Sequence, residues 1–209
     1  MKSVLLVPAL SLALSACVPS ETDTPVTVAK ATPMLPLAWE AGHPERQPWS
    51  AQLRNALRAE LARFGTPADI DAYCPRYANL DAQDRVEVLA TLVVAIAKRE
   101  SNYKPDTVFA EPPPLGVDSI GLFQMSYEDN LAWCSMDKSR DSLKEPLNNI
   151  RCAVGEMARL VARDGVIASG SSVKSGKGLA RYWSVMQDGP RHFKAEIQGK
   201  TNALGICAG

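Results

Sequence analysis

The sequence predicts a mainly α-helical single domain, a helical bundle around one buried central helix that disulfides staple together. Three observations support this fold class. Apolar residues recur at spacings of three and four in several segments after residue 50. Residues that typically start and end helices flank these segments. Alternating runs of β-branched residues, the usual sign of strands, are few, so we expect strands to be a minor part of the fold.

The first 16 residues predict an export signal that is not part of the fold. Lys2 precedes the apolar run VLLVPALSLAL, which is too short to cross a membrane as a helix. Residues 14–17, LSAC, begin with the last leucine of this run and resemble a bacterial lipobox, so we expect Cys17 to carry a lipid and to begin the mature chain. An ordinary signal peptide cleaved near Ala16 is the alternative. Val18 is not the aspartate that retains lipoproteins in the inner membrane, which favours the periplasmic face of the outer membrane.

Residues 17–48 predict a linker between the lipidated cysteine and the domain. The segment after Cys17 contains six prolines and shows neither a helical nor a strand period. Prolines make such a chain semi-extended, so the domain would reach away from the membrane surface. Residues 49–209 then form the domain.

The first half of the domain predicts two helices. Ser50 is a suitable cap for a helix that ends at Gly65. The longest helix runs from Asp81 to Glu100 and is apolar on nearly every face. A helix without a polar face is typical of the interior of a protein, so this helix is expected at the centre of the domain.

The second half predicts three shorter or more polar helices. The first follows Ser126 in a variant of the capping box and runs through Trp133. The second begins at Pro146, a residue favoured at the first helical position. A loop rich in glycine and serine follows at 169–178, and the last helix is predicted over 179–187.

The four cysteines after Cys17 predict two disulfides, because an even number in an exported chain indicates an oxidising compartment. Of the three possible pairings we favour Cys134–Cys152, which closes a short segment, and Cys74–Cys207, which ties down the C-terminus. A zinc site is not expected, because no CxxC spacing occurs and the chain has only two histidines. The formal net charge of zero gives no reason to expect nucleic acid as a partner.

Glu100 is the candidate for chemistry. It continues a stripe of core residues along the central helix at spacings of three and four: Val86, Leu89, Val93, Ile96 and Glu100. A carboxyl that emerges against apolar neighbours at the negative end of a helix has a raised pKa. Such a group can donate a proton to a glycosidic oxygen. A solvated glutamate at a helix end, or one buried in an ion pair, is the alternative.

Four motifs resemble those of soluble-lytic-transglycosylase-type domains, in the same order, over about residues 82–190. ESNYKP at 100–105 is similar to the family's E-S-x-F-x-P, and GLFQM at 121–125 is similar to G-L-M-Q-[IVL]. PLNNI at 146–150, with Gly155 further on, is similar to the family's P-x-x-N-[IV] helix start. ARYW at 180–183 stands where the family has A-x-Y-N or a close variant.

The resemblance implies a lysozyme-like fold and cleavage of peptidoglycan glycan strands without a cofactor. Glu100 would be the single acid/base. It would cut the bond between N-acetylmuramic acid and N-acetylglucosamine and leave a 1,6-anhydro product. Ser101 and Tyr182 would orient its carboxyl or the adjacent sugar, and Gln124 would contact the saccharide.

The sequence departs from the family's pattern in two places. Six extra residues, including Pro112–Pro114, separate the first two motifs, and Trp183 replaces an asparagine. Tyr127, Trp133 and Trp183 are either faces for stacking on sugars or core residues.

Two other functions stay open. A hydrolytic lysozyme needs a second carboxylate near the first, for which Asp118 is the candidate and Asp106 a weaker one. A lysozyme-like domain that binds peptidoglycan without cutting it is the other alternative.

Overall fold

A computed structural model describes residues 34–113, 116–130, 134 and 139–208 of the chain. The chain divides into one unit of Met1–Met34 and a compact unit of Leu35–Gly209. The predictions for the export signal, for Cys17 and for Trp133 lie outside the described residues.

The compact unit is mainly helical, as predicted. Its α-helices are α1 (Gln47–Phe64), α2 (Ala82–Ser101), α3 (Tyr127–Asn130), α4 (Pro146–Asp164) and α5 (Lys194–Asn202). Helix α1 packs against α4 and α2, and α5 also packs against α2. Ten of the 20 residues of α2 are buried, which confirms that this helix lies at the centre.

Helix α2 begins and ends as its sequence predicts. The Asp81 side chain accepts a hydrogen bond from the backbone N–H of Asp84 at 2.8 Å, so it caps the first turn. Asn102 adopts the left-handed conformation, with φ 52°, and its N–H bonds back to the carbonyl of Lys98. Glu100 therefore lies in the last helical turn.

Two small antiparallel sheets complete the fold. The first contains β1 (Val108–Ala110), β2 (Asp118–Ile120) and β3 (Met125–Ser126), in that order. The second pairs β4 (Ala168–Ser169) with β5 (Lys177–Gly178), so the predicted loop at 169–178 joins the strands of a hairpin. The first sheet matters for function because it follows α2 directly and contains the residues inserted between the first two motifs.

The domain begins at Leu35, whereas the sequence analysis predicted a start at residue 49. Trp39 is buried and donates a hydrogen bond through its indole Nε1 to the Ser50 hydroxyl at 2.7 Å. The buried Arg54 donates to the carbonyl of Leu35 and forms an ion pair with Glu87 on α2. These contacts hold the end of the expected linker against α1, which begins at Gln47, so Ser50 lies inside the helix instead of capping it.

The last predicted helix is also wrong. Residues 179–187 form two short 3₁₀ turns, Leu179–Arg181 and Ser184–Met186, and the C-terminal helix is α5. The predicted disulfides are confirmed: Cys74 bonds to Cys207 and Cys134 bonds to Cys152. The first joins the residues before α2 to the end of the chain, across a sequence separation of 133.

Candidate active site

Glu100 extends the buried stripe of α2, as the spacing predicts. The four apolar residues before it on the stripe are fully buried, whereas Glu100 itself is partly exposed at the end of the helix. Its Oε1 atom is buried and accepts no hydrogen bond from any residue in the described part of the chain. The carboxyl is therefore partly desolvated, and it has no ion-pair partner among the described residues.

This environment raises the pKa of Glu100 from 4.5 to about 7. Burial is the larger cause, because a desolvated carboxylate loses the hydration that stabilises its charge. The negative charge of Glu111 is the second cause. A neutral Glu100 carboxyl therefore persists close to pH 7, where it can act as a proton donor.

Glu111 is the residue that sequence reasoning missed. It lies just beyond β1, and its N–H donates to the carbonyl of Val117 at 2.9 Å, which continues the pairing of β1 with β2. Its Oε1 accepts a hydrogen bond from the Ser119 hydroxyl at 2.8 Å. The signal available in the sequence was a carboxylate beside three prolines in the inserted segment. Only the hairpin brings that carboxylate back towards Glu100.

The structure does not bring Asp118 to Glu100. Asp118 pairs with Ala110 in the register of β1 and β2, so its side chain lies on the opposite face from those of Ser119 and Glu111. Its Oδ2 accepts a hydrogen bond from Nη1 of Arg140 at 2.7 Å. Glu111, and not Asp118, is therefore the second carboxylate of this site.

Ser101 has a structural role in the site. It is buried, and its hydroxyl donates to the carbonyl of Leu122 at 2.9 Å. This bond fastens the last turn of α2 to the GLFQM loop. The expected hydrogen bond between Ser101 and the Glu100 carboxyl is not formed.

Gln124 is fixed at the base of the hairpin. Its φ of 48° is unusual for a residue other than glycine. The side-chain amide donates to the carbonyl of Gly121 at 2.9 Å and to that of Thr107 at 3.2 Å. Gly121 also has a positive φ, and a Cβ there would collide with the Leu143 carbonyl and the Asn149 amide. The tight turn expected at Gly121 is thus present and positions Gln124.

Asn149 connects the GLFQM loop to the first turn of α4. Its Oδ1 accepts from the N–H of Phe123 at 2.9 Å, and its Nδ2 donates to the carbonyls of Ile120 at 3.0 Å and Leu143 at 2.9 Å. The side chain is completely buried. The sequence identified this asparagine as part of a motif, and the structure gives it a physical role.

The last motif, ARYW at 180–183, is bonded to the GLFQM loop and to the residue that follows it. The Tyr182 hydroxyl accepts a hydrogen bond from the N–H of Ser126 at 2.7 Å. Trp183 is buried, and its Nε1 donates to the carbonyl of Phe123 at 2.9 Å. Trp183 is therefore a core residue and not a face for sugars, while Tyr127 is half-buried against the core.

A cavity of about 280 Å³ lies beside Tyr182 and is lined by Asp129, Glu156, Arg159, Leu160, Arg181 and Tyr182. Two of the lining residues, Arg159 and Glu156, form an ion pair. Neither Glu100 nor Glu111 lines it. Glu100 remains the candidate for the chemistry because its carboxyl is partly buried and has a raised pKa.

Within the described ranges, no group of three or more histidine, cysteine, aspartate or glutamate side chains is placed to hold a metal ion. None of the described helices is both long enough and apolar enough to cross a membrane.

Comparison with known proteins supports the motif assignment. Residues 78–174 match the family model of the transglycosylase SLT domain. The solved structure "Bd0314 DslA wild-type form 2" is similar at 32% identity and a TM-score of 0.75, over 83% of this chain and 98% of that one. A glutamate-to-glutamine mutant of DslA is similar at 31% identity and a TM-score of 0.74, over 82% of this chain and 97% of that one. No curated protein matches the chain.

Proposed function

Because this chain belongs to the transglycosylase SLT domain family, we propose that it cleaves the β-1,4 bond between N-acetylmuramic acid and N-acetylglucosamine in peptidoglycan. The observation that carries the proposal is the partly buried Glu100 carboxyl, whose pKa burial raises to about 7. The reaction needs an acid that is neutral before the bond breaks, and a pKa near the working pH suits that task.

Glu100 acts first as an acid. Its carboxyl gives a proton to the glycosidic oxygen as the bond from that oxygen to C1 of N-acetylmuramic acid breaks. The departing N-acetylglucosamine thus leaves with a hydroxyl, and positive charge develops at C1. The Glu100 carboxylate formed in this step lies near that charge and stabilises it.

Glu100 then acts as a base. In the transglycosylase reaction its carboxylate takes the proton of the 6-hydroxyl of the same N-acetylmuramic acid, whose oxygen bonds to C1. This closes the 1,6-anhydro ring and returns Glu100 to its acid form. One glutamate suffices for both steps. In this proposal Gln124 contacts the saccharide, and Tyr182 acts by holding the backbone at Ser126.

Hydrolysis is the second candidate, and Glu111 favours it. Retaining and inverting glycosidases use a second carboxylate, to bond with C1 or to activate water. Two mutants of DslA carry glutamate-to-glutamine changes eleven residues apart in that chain, and eleven residues also separate Glu100 from Glu111. In this reaction water replaces the 6-hydroxyl, and the product has a reducing end.

The masses of the fragments released from purified sacculi test the proposal. The transglycosylase reaction is expected to give anhydro ends, which are 18 Da lighter than reducing ends because no water is added. Glu111→Gln should then reduce the rate without changing the product. If the wild-type protein releases fragments with reducing ends and Glu111→Gln no longer does, the reaction is hydrolysis and not transglycosylation. Release of no fragments by the wild-type domain would overturn the proposed function.

Anchoring at the outer membrane is a further part of the proposal. It rests on the sequence LSAC at 14–17 and on the residue after Cys17, which is Val18 and not aspartate. The four cysteines of the domain form disulfides, as expected outside the cytoplasm. The mass of the mature N-terminal peptide from membranes checks it: a diacylated Cys17 is expected, and an unmodified Cys17 would contradict it.

A further inference from the structure

Phe109 is an exposed aromatic residue on the edge strand of the sheet beside Glu100. Strand β1 pairs only with β2 in the described part of the sheet, and 55% of the Phe109 residue surface is exposed. No aromatic ring or cation among the described residues stacks on its ring. A large apolar ring in water is available to a ligand, because covering it with an apolar surface would be favourable.

The register of the sheet determines which way Phe109 faces. Phe109 is paired with Ser119, and side chains of paired residues in antiparallel strands lie on the same face. The Ser119 hydroxyl donates to the Glu111 carboxylate, which is two residues beyond Phe109 and so on that same face. Phe109 and Glu111 are neighbours on one face, roughly 7 Å apart along the strand.

The same face carries the carboxylate whose charge acts on Glu100. The negative charge of Glu111 acts on the Glu100 carboxyl, so the carboxylate end of this face lies near the acid. The opposite face carries Val108, which is paired with the buried Ile120, and Asp118, which is bound by Arg140. The exposed ring of Phe109 thus shares a face with Glu111, while the exposed Val108 does not.

We propose that Phe109 forms a sugar-binding subsite, in which its ring packs against the apolar C–H face of a pyranose of the glycan strand next to the bond that is cut. This inference rests on the proposed function and deepens it. An aromatic ring provides a large rigid surface, and the C–H groups of a sugar meet its electron-rich face. The neighbouring carboxylates bind polar groups of the strand, and the ring adds an apolar contact beside them.

Binding of a soluble tetrasaccharide of alternating N-acetylglucosamine and N-acetylmuramic acid tests the subsite. The Glu100→Gln protein is used, so that the ligand is not cut. Adding Phe109→Ala is expected to weaken binding roughly tenfold, which corresponds to the lost contact of one aromatic face. Phe109→Tyr should retain the affinity, because it keeps the ring.

Val108→Ala is the matched control, since it removes an exposed apolar side chain from the same strand on the other face. It is expected to leave the affinity unchanged, and both alanine variants should unfold at about the same temperature as their parent. Equal affinity of the Phe109→Ala variant and its parent, or equal losses for Phe109→Ala and Val108→Ala, would overturn the subsite.

The kinetics of the active protein separate this inference from the function on which it rests. With Glu100 intact, Phe109→Ala should raise KM for soluble glycan strands roughly tenfold with a smaller change in kcat, because a binding contact is lost. Cleavage with an unchanged KM would overturn the subsite and leave the proposed function standing. Absence of cleavage by the wild-type protein would overturn both.

Discussion

Replacement of Glu100 by glutamine is expected to lower the rate of glycan cleavage by roughly a thousandfold or more. General acid catalysis contributes about 10²–10⁴ to such rates, and here the same group also acts as the base. Glutamine has nearly the shape of a protonated glutamate but cannot give up a proton. The measurement is the rate at which soluble fragments are released from purified sacculi.

The expected loss is specific to Glu100. Glu60 on α1 pairs with Arg63 outside the site, so Glu60→Gln is the control and should keep the activity of the wild type. Glu100→Gln should unfold at the wild-type temperature or above it at pH 8, because it removes a carboxylate that is partly buried. Full activity of Glu100→Gln would remove the basis of the proposed mechanism.

Replacement of Asn149 by aspartate is expected to lower the free energy of unfolding by about 4 kcal/mol. Asn149 is completely buried and makes three hydrogen bonds, two of them as a donor to carbonyl oxygens. An aspartate carboxylate has no hydrogen to donate, so two buried carbonyls would face a negative charge. Chemical denaturation of the isolated domain gives the change in free energy.

Asn148 provides the matched control for this prediction. It precedes Asn149 in the first turn of α4 but is partly exposed. Asn148→Asp places the same charge at a helix N-terminus, where it is tolerated or slightly favourable, so a change within about 0.5 kcal/mol is expected. Equal losses from both substitutions would show that charge in this turn, and not the hydrogen bonds of Asn149, sets the stability.

The part of the fold that could be predicted depends on patterns within single helices. The spacing along α2 fixes which residues share a face, so it predicted both the central position of the helix and the direction of Glu100. The capping residue Asp81 is a local signal as well. The two disulfides followed from cysteine number and chain order.

The parts that were missed depend on distant contacts. Residues 179–187 have a helical pattern, yet Tyr182 and Trp183 are tied to Ser126 and Phe123 and hold the chain in short turns. Helix α5 buries only Ile197 and Thr201, so its sequence shows almost no apolar stripe. The segment before α1 looked like a linker because the partners that bury Trp39 lie on other elements.

The second carboxylate of the site was missed for the same reason. The sequence contains Asp118 and Glu111 in and around one inserted segment, and strand register decides which of the two shares a face with Ser119. The pairing of Ala110 with Asp118 turns that aspartate away, whereas Glu111 lies on the face of Ser119. Register depends on how β1 and β2 align, and no local pattern in these short strands determines it.

The pH dependence of kcat/KM for glycan cleavage tests the role of Glu100 most directly. Glu100 must be protonated before it can act, and its pKa is about 7, so the rate should be highest below pH 7 and fall about tenfold per pH unit above it. Glu111→Gln removes a negative charge that raises the pKa of Glu100, so it should move the fall to lower pH. A rate that stays constant up to pH 9, or a fall that Glu111→Gln moves to higher pH, would contradict the assignment of Glu100 as the buried acid.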